Sequence, residues 1–219
     1  MIQTVIFDMD GVIVDTEPVH HYAYLQHFKQ LNIEVTPEMY ASFTGNSTKN
    51  IYEKLKALYN LNEEVQDLVE AKRNLFNEAF DRKEDLYLLD GVEDLIQDLH
   101  QNGIQLVLGS SSAKVTIDRI FKRFQLHQYF SHIVSGEDFP KSKPHPAIFE
   151  YAAKISKTSI KNCIVIEDST NGILAANAAR IYCIGYDSLN SKMQDYSTAN
   201  KVIRHFKELN YEMIRNIVV

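Results

Sequence analysis

The chain has 219 residues, 45% of them hydrophobic, with a formal net charge of −6 and a sequence pI near 5.7. That length holds one large α/β domain, or a core with a smaller insert. The acidic balance and the lack of a basic block exclude nucleic acid and anionic membrane as principal partners, and no apolar run approaches the ~18 residues of a membrane span.

Residues 4–7 form a β-branched and aromatic run, the composition of a buried strand. Asp8, Asp10 and Gly11 follow at once. Residues 17–31 repeat apolar side chains at helical spacing through Tyr24, Leu25, Phe28 and Leu31, and Pro18 suits a first turn. Thr36-Pro37-Glu38 starts a short helix. Ser47 caps a helix running to Tyr59. Asn62 caps another, with Val65, Leu68, Val69, Lys72, Leu75 and Phe76 on its recurring faces. Residues 17–85 thus hold four predicted helices and no strand.

From Gly91 the pattern alternates. Helices are expected over 92–101, 112–124, 146–154, 170–179 and 206–216. Strands are expected over 104–108, 133–134, 163–166, 181–185 and, at an edge, 201–203. Such alternation gives a parallel sheet with helices on its faces. The first strand has no βα partner until residue 91, so it joins this same sheet and the helical block is an insertion. The fold class is α/β: a Rossmann-like parallel core from residues 1–16 and 88–219, with an inserted α-helical cap over 17–87. Cys163 and Cys183 lie in apolar runs and read as buried reduced thiols. With no signal-peptide pattern ahead of the first strand, the chain reads as cytoplasmic.

Open parallel sheets bind ligands at the carboxyl ends of their strands. Past strand one come Asp8 and Asp10; past the second, Gly109-Ser110-Ser111-Ser112; past the third, Glu137, Asp138, Lys141 and Lys143; past the fourth, Glu167 and Asp168. Carboxylates without a histidine cluster suit a hard cation, Mg²⁺ above all. Lysine is a point charge for phosphate. Ser110, Ser111 and the N–H groups opening the next helix form an anion site. Together these describe a phosphoryl site, and the chain has no P-loop pattern.

Four segments resemble, in order and spacing, the motifs of the haloacid dehalogenase-like phosphohydrolases: Asp8-Met9-Asp10-Gly11, Ser110 in LVLGSSS, Lys143 in KSKPHPAIF and Glu167-Asp168 in VIEDSTNGI. The DGVIVDTEP run is similar to the β-phosphoglucomutase-like branch of the helical-cap subgroup. The resemblance implies that Asp8 is the nucleophile, giving an aspartyl-phosphate, and that Asp10 moves protons. It implies that Asp8, the carbonyl of Asp10 and Asp168 hold Mg²⁺ with Glu167 nearby, and that Ser110 and Lys143 grip the phosphoryl group. Asp10 must be protonated at the right moment, so its pKa is expected to be raised by burial when the cap closes. Thr16, Glu17, His20, Gly45 and Lys49 are the cap-side candidates for contact with substrate.

Two departures stand out. The basic residue with which the mutases hold a second phosphate aligns with Thr48, and a second cap lysine aligns near Asn74, with Lys49, Lys72 and Arg73 close by. A glycine that closes a helix in the family is replaced at Ala179-Arg180. The reading is a Mg²⁺-dependent phosphatase of a small phosphorylated metabolite, a sugar phosphate first, acting as a monomer or weak homodimer. The alternatives are a β-phosphoglucomutase using the same nucleophile, and a non-catalytic phosphometabolite binder.

Overall fold

A computed structural model describes residues 1–43, 46–187 and 193–218. Six strands form one parallel sheet: β1 (Thr4–Phe7), β2 (Gln105–Ser110), β3 (Phe130–Ser135), β4 (Cys163–Glu167), β5 (Tyr182–Tyr186) and β6 (Lys201–Ile203), in the order β3-β2-β1-β4-β5-β6. The interior strands TVIF and CIVIE are buried throughout. Continuous burial is what a strand covered on both faces requires. One face is packed by α5 (Val92–Gln101), α6 (Lys114–Arg123) and α9 (Tyr211–Arg215), and the other by α7 (Ala147–Ile155) and α8 (Thr170–Ala178).

Register explains why chemistry collects at one place. Thr4–Phe7 lie beside Gln105–Leu108 on one side and Cys163–Ile166 on the other. Asp8, Gly109 and Glu167 therefore stand at one level across three adjacent strands, and the Asp8 N–H donates to Ile166 O at 3.0 Å. The reversal of strand order at β1 makes this the crevice of the sheet.

Four helices separate β1 from α5: α1 (Glu17–Gln30), α2 (Pro37–Ala41), α3 (Thr48–Tyr59) and α4 (Val65–Arg82). Tyr24, Phe28, Phe43, Ile51, Tyr52, Leu55, Leu68 and Val69 form their own apolar cluster. The chain leaves and returns through neighbouring segments: Val14 bridges Leu88, and the Leu89 N–H donates to Ile13 O at 3.0 Å. Ser47 caps α3 as expected, accepting from the Asn50 N–H at 3.2 Å, and the Thr36 hydroxyl does the same for α2.

The differences from expectation are local. Helix α4 starts after Glu64 rather than Asn62, and β3 extends from Phe130, beyond the apolar pair that signalled it. The helix expected over 206–216 is broken, because Leu209 is extended and Asn210 caps a new helix by accepting from the Met213 N–H. Arg180 sits at φ +58° where a helix end favours glycine, a placement that costs about 1 kcal/mol.

Phe149 on α7 is fully buried, and the Lys143 ammonium lies 4.8 Å from its ring centre. Phe149→Ala is expected to lower the unfolding free energy by about 3–5 kcal/mol, the range for a buried aromatic truncated in a core. Equilibrium urea unfolding measures it, and a loss below about 1 kcal/mol contradicts this packing.

Candidate active site

The cleft above the strand ends is lined by Asp8, Asp10, Gly11, Asp15, Glu17, Glu167 and Asp168, by His20, Ser111, Ser112 and Lys143, and from the helical insert by Tyr24, Tyr40, Phe43, Thr48 and Ile51. Lys143 is its anchor. The side chain is 2% exposed, and Nζ donates to Asp8 Oδ1 at 2.5 Å, to Glu167 Oε1 at 2.7 Å and to Gly109 O at 3.0 Å. Two carboxylates hold the ammonium charge in place against burial, so the Lys143 pKa is raised rather than lowered.

Asp8 and Asp10 occupy different electrostatic settings. Burial pushes the Asp8 carboxyl up to about 7; Lys143 opposes the rise, while Glu167 and Asp10 add to it. Burial would raise Asp10 as well, but hydrogen bonds and charge from His20, with the hydroxyls of Thr16 and Ser112, reverse the direction and leave it at about 2. In this arrangement Asp10 is held low rather than raised. The Thr16 hydroxyl donates to Oδ1, the Ser112 hydroxyl donates to Oδ2 at 2.7 Å, and His20 Nε2 lies 3.5 Å from Oδ1.

The other candidates separate by position. Ser110 is buried beneath the cleft, where its Oγ accepts from the Ser112 N–H at 3.0 Å; Ser111 and Ser112 form the cleft wall. Glu167 is turned inward: Oε1 takes Lys143, and Oε2 takes the N–H and hydroxyl of Ser169 at 2.9 and 3.0 Å. Both oxygens accept hydrogen bonds, and Glu167 is the buried partner of the lysine. Thr16 lies behind Asp10, and Glu17 accepts from the Tyr40 hydroxyl at 2.8 Å. Lys49 is exposed, 3.8 Å from Glu53, and does not line this cleft. Gly45 lies outside the described residues.

Two residues named in the sequence reading were given no place in the site there. Ser112 carried a signal as the third serine of GSSS. Lys72 carried one as the lysine on an apolar face of α4. It is 2% exposed, with Nζ 2.6 Å from His20 Nδ1 and 4.4 Å from the centre of the Tyr24 ring.

Six carboxylates and one ammonium group line the cleft. An anionic substrate entering it needs a further cation. Asp8, Asp168 and the Asp10 main-chain carbonyl offer oxygen donors of the kind Mg²⁺ takes. Among the described residues no three acidic, histidine or cysteine side chains converge into a cage. A β-carbon on Gly11, at φ +83°, would overlap the Asp168 carboxylate, so glycine here leaves that acid its room.

A parallel α/β sheet with paired acids on its central strand, a buried lysine beside them and a helical insert above defines a phosphoryl-transfer enzyme fold. The sequence profile of the haloacid dehalogenase-like hydrolases matches residues 5–186, and the chain is an enzyme of that family. It is 29% identical over 218 residues to β-phosphoglucomutase of Bacillus subtilis, covering 97% of this chain and 93% of that protein. It is 30% identical to hexitol phosphatase B of Escherichia coli, covering 82% and 81%. The crystal structure of a β-phosphoglucomutase from Clostridium difficile superposes with a TM-score of 0.85 at 29% identity, covering 98% of this chain and 96% of that one.

Burial drives the Lys72 pKa down to about 7, against the pull of Asp10 and Glu17. An unfolded lysine keeps its proton to about 10.4, so between about pH 7 and about pH 10 unfolding takes up a proton and stability rises with pH. Urea unfolding across that window is expected to show the rise in wild type and a smaller one in Lys72→Met. Parallel curves for the two proteins would mean that Lys72 stays charged inside the fold.

Proposed function

We propose that the protein is a Mg²⁺-dependent phosphatase of small phosphorylated metabolites, with sugar and hexitol monophosphates as the substrate class. The observation that carries this reading is the Asp8–Lys143–Glu167 triad with Asp10 beside it. A binder of phosphate needs cations but no paired nucleophile and proton carrier. Asp8 attacks phosphorus in line and forms an aspartyl-phosphate, while the leaving oxygen takes a proton from Asp10. Asp10 then accepts a proton from water, which attacks the aspartyl-phosphate and frees Asp8. With a pKa of about 2 it stands ionised and able to accept a proton; for the first role it must be loaded with a proton while His20, Thr16 and Ser112 hold it.

Lys143 and Ser111 hold the phosphoryl oxygens. Bound Mg²⁺, held by Asp8, Asp168 and the Asp10 carbonyl, supplies the positive charge that three phosphate oxygens need beside a carboxylate. Helices α1–α4, within residues 17–87, act as the cap over the leaving group. The acidic surface, free buried thiols and small-metabolite chemistry suit a cytoplasmic enzyme.

The mutase alternative draws support from the near full-length similarity to β-phosphoglucomutase. A mutase must hold and reorient a bisphosphate. Here Thr48 stands at the aligned basic position, and the neighbouring cations are engaged: Lys49 with Glu53, Lys72 with His20, and Arg73 with Glu137 at 2.6 Å. The absence of a basic side chain at the Thr48 position favours hydrolysis.

Purified protein with Mg²⁺ is assayed against a sugar-phosphate and hexitol-phosphate panel that includes β-glucose 1-phosphate with a trace of bisphosphate. Free phosphate release is expected. It should fall at least about 10³-fold in Asp8→Asn, as for loss of a nucleophile, and cease with a chelator. Glucose 6-phosphate formation without net release would establish the mutase, and equal behaviour of wild type and Asp8→Asn would refute the nucleophile.

A further inference from the structure

Helix α4 is tied to the sheet domain differently at its two parts. At its C-terminal end the Arg123 guanidinium from α6 donates to Phe80 O at 2.9 Å, to Lys83 O at 2.5 Å and to Glu84 O at 3.2 Å. Phe80 O lies in the last turn, where it also accepts from the Lys83 N–H at 3.3 Å, and Lys83 and Glu84 lie at and just past the helix end. The same guanidinium lies 5.1 Å from the Phe80 ring centre, and Arg119 pairs with Asp81. This end is anchored.

Nine residues earlier, at the ~1.5 Å per residue of a helix and so roughly 13 Å along the axis, the link is an ion pair, Arg73 Nη2 to Glu137 Oε1 at 2.6 Å. Its acceptor is set by the sheet domain alone. Glu137 Oε2 accepts from the Lys114 N–H at 2.9 Å, at the start of α6, and the Glu137 N–H donates to Ser135 Oγ at 3.2 Å. Its donor rides on the helical insert. Arg73 and Glu137 side chains are 25% and 37% exposed, and half-exposed pairs of this kind are weak.

Arg73 also adjoins Lys72 in the chain. Lys72 contacts His20, and His20 faces Asp10. Where Arg73 is held thus sets where Lys72 and His20 stand over Asp10. The pair lines a second cavity of about 280 Å³ beside the cleft, together with Ser47 and Ser142, whose hydroxyls meet at 2.8 Å across the same gap. Ser142 is the residue before Lys143.

We propose that Arg73 and Glu137 are a positioning pair: a latch between α4 and the start of α6 that holds the helical insert closed over the cleft and releases it, while Arg123 keeps the far end of α4 fixed. A preset acceptor, a donor on the opposite body and a weak bond are what a closure that opens at each turnover requires. The kinetic part of this inference rests on the proposed phosphatase reading; the conformational part does not.

Two measurements test it on the full chain, in wild type, Arg73→Met, Glu137→Gln, the double variant and Arg73→Lys. The first is amide hydrogen exchange without substrate. Residues 111–117, of which Ser111, Ser112, Ala113 and Thr116 line the cavity beside the insert, should exchange roughly fivefold faster in both single variants, the scale of one partly exposed ion pair, with residues 83–88 unchanged. The second is phosphatase kinetics: kcat/KM should fall by a similar factor, the double variant should be no worse than the single ones because they break the same bond, and Arg73→Lys should retain most of the activity. The proposal is overturned if exchange at 111–117 stays within about twofold of wild type, if exchange at 83–88 rises equally and reveals general loosening, or if the two substitutions add. If wild type turns over no phosphate ester, the phosphatase reading fails and the exchange result alone decides the latch.

Discussion

A single buried ammonium group holds the acidic end of the sheet together. Lys143 lies between Asp8 and Glu167 with almost no exposure, and bonds both within 2.7 Å. Taking three charges out of water is costly, and the triad persists because each charge has a partner in a low-dielectric site. Removing the ammonium would leave two carboxylates buried side by side, and their repulsion would push one of them to take up a proton. The triad also sets the problem that substrate binding must solve. Lys143 is shared between two acids before any phosphate arrives, so the cleft stays short of positive charge, and the Asp8 carboxyl sits at about 7 until more arrives. In the proposed phosphatase reading, a divalent cation makes good that shortage.

Around this triad the fold is economical. Parallel register brings Asp8, Gly109 and Glu167 to one level, and the loop after β3 returns Lys143 to it. Glu167 is steadied from behind by Ser169 at the start of α8, and a β-carbon on Gly172 would overlap its carboxylate. One sequence feature, a small residue in the first turn of α8, thus keeps room for the acid that keeps the lysine.

Much of this was legible in the sequence because each motif follows a strand of unmistakable composition. TVIF and CIVIE read as buried strands, and their acids therefore read as the crevice. Ser47 and Thr36 announced their helices through cap chemistry that depends only on local residues. What stayed hidden depended on distance through space. The inward turn of Glu167 is set by Lys143, 24 residues earlier. The low pKa of Asp10 comes from His20 and Ser112, which no spacing rule brings together. Lys72 faces His20 across 52 residues. The break at Leu209–Asn210 was hidden for another reason: apolar spacing continues through it while the backbone does not.

The account's central claim is that Asp8 becomes covalently phosphorylated beside Lys143. Rapid acid quench during turnover of a sugar phosphate, followed by peptide mass spectrometry, tests it most directly. The peptide carrying Asp8 is predicted to gain one phosphoryl group that appears within the first turnover and decays as free phosphate is released. Turnover with Asp8 unmodified at every quench time, or with the phosphoryl group on another residue, would contradict the account.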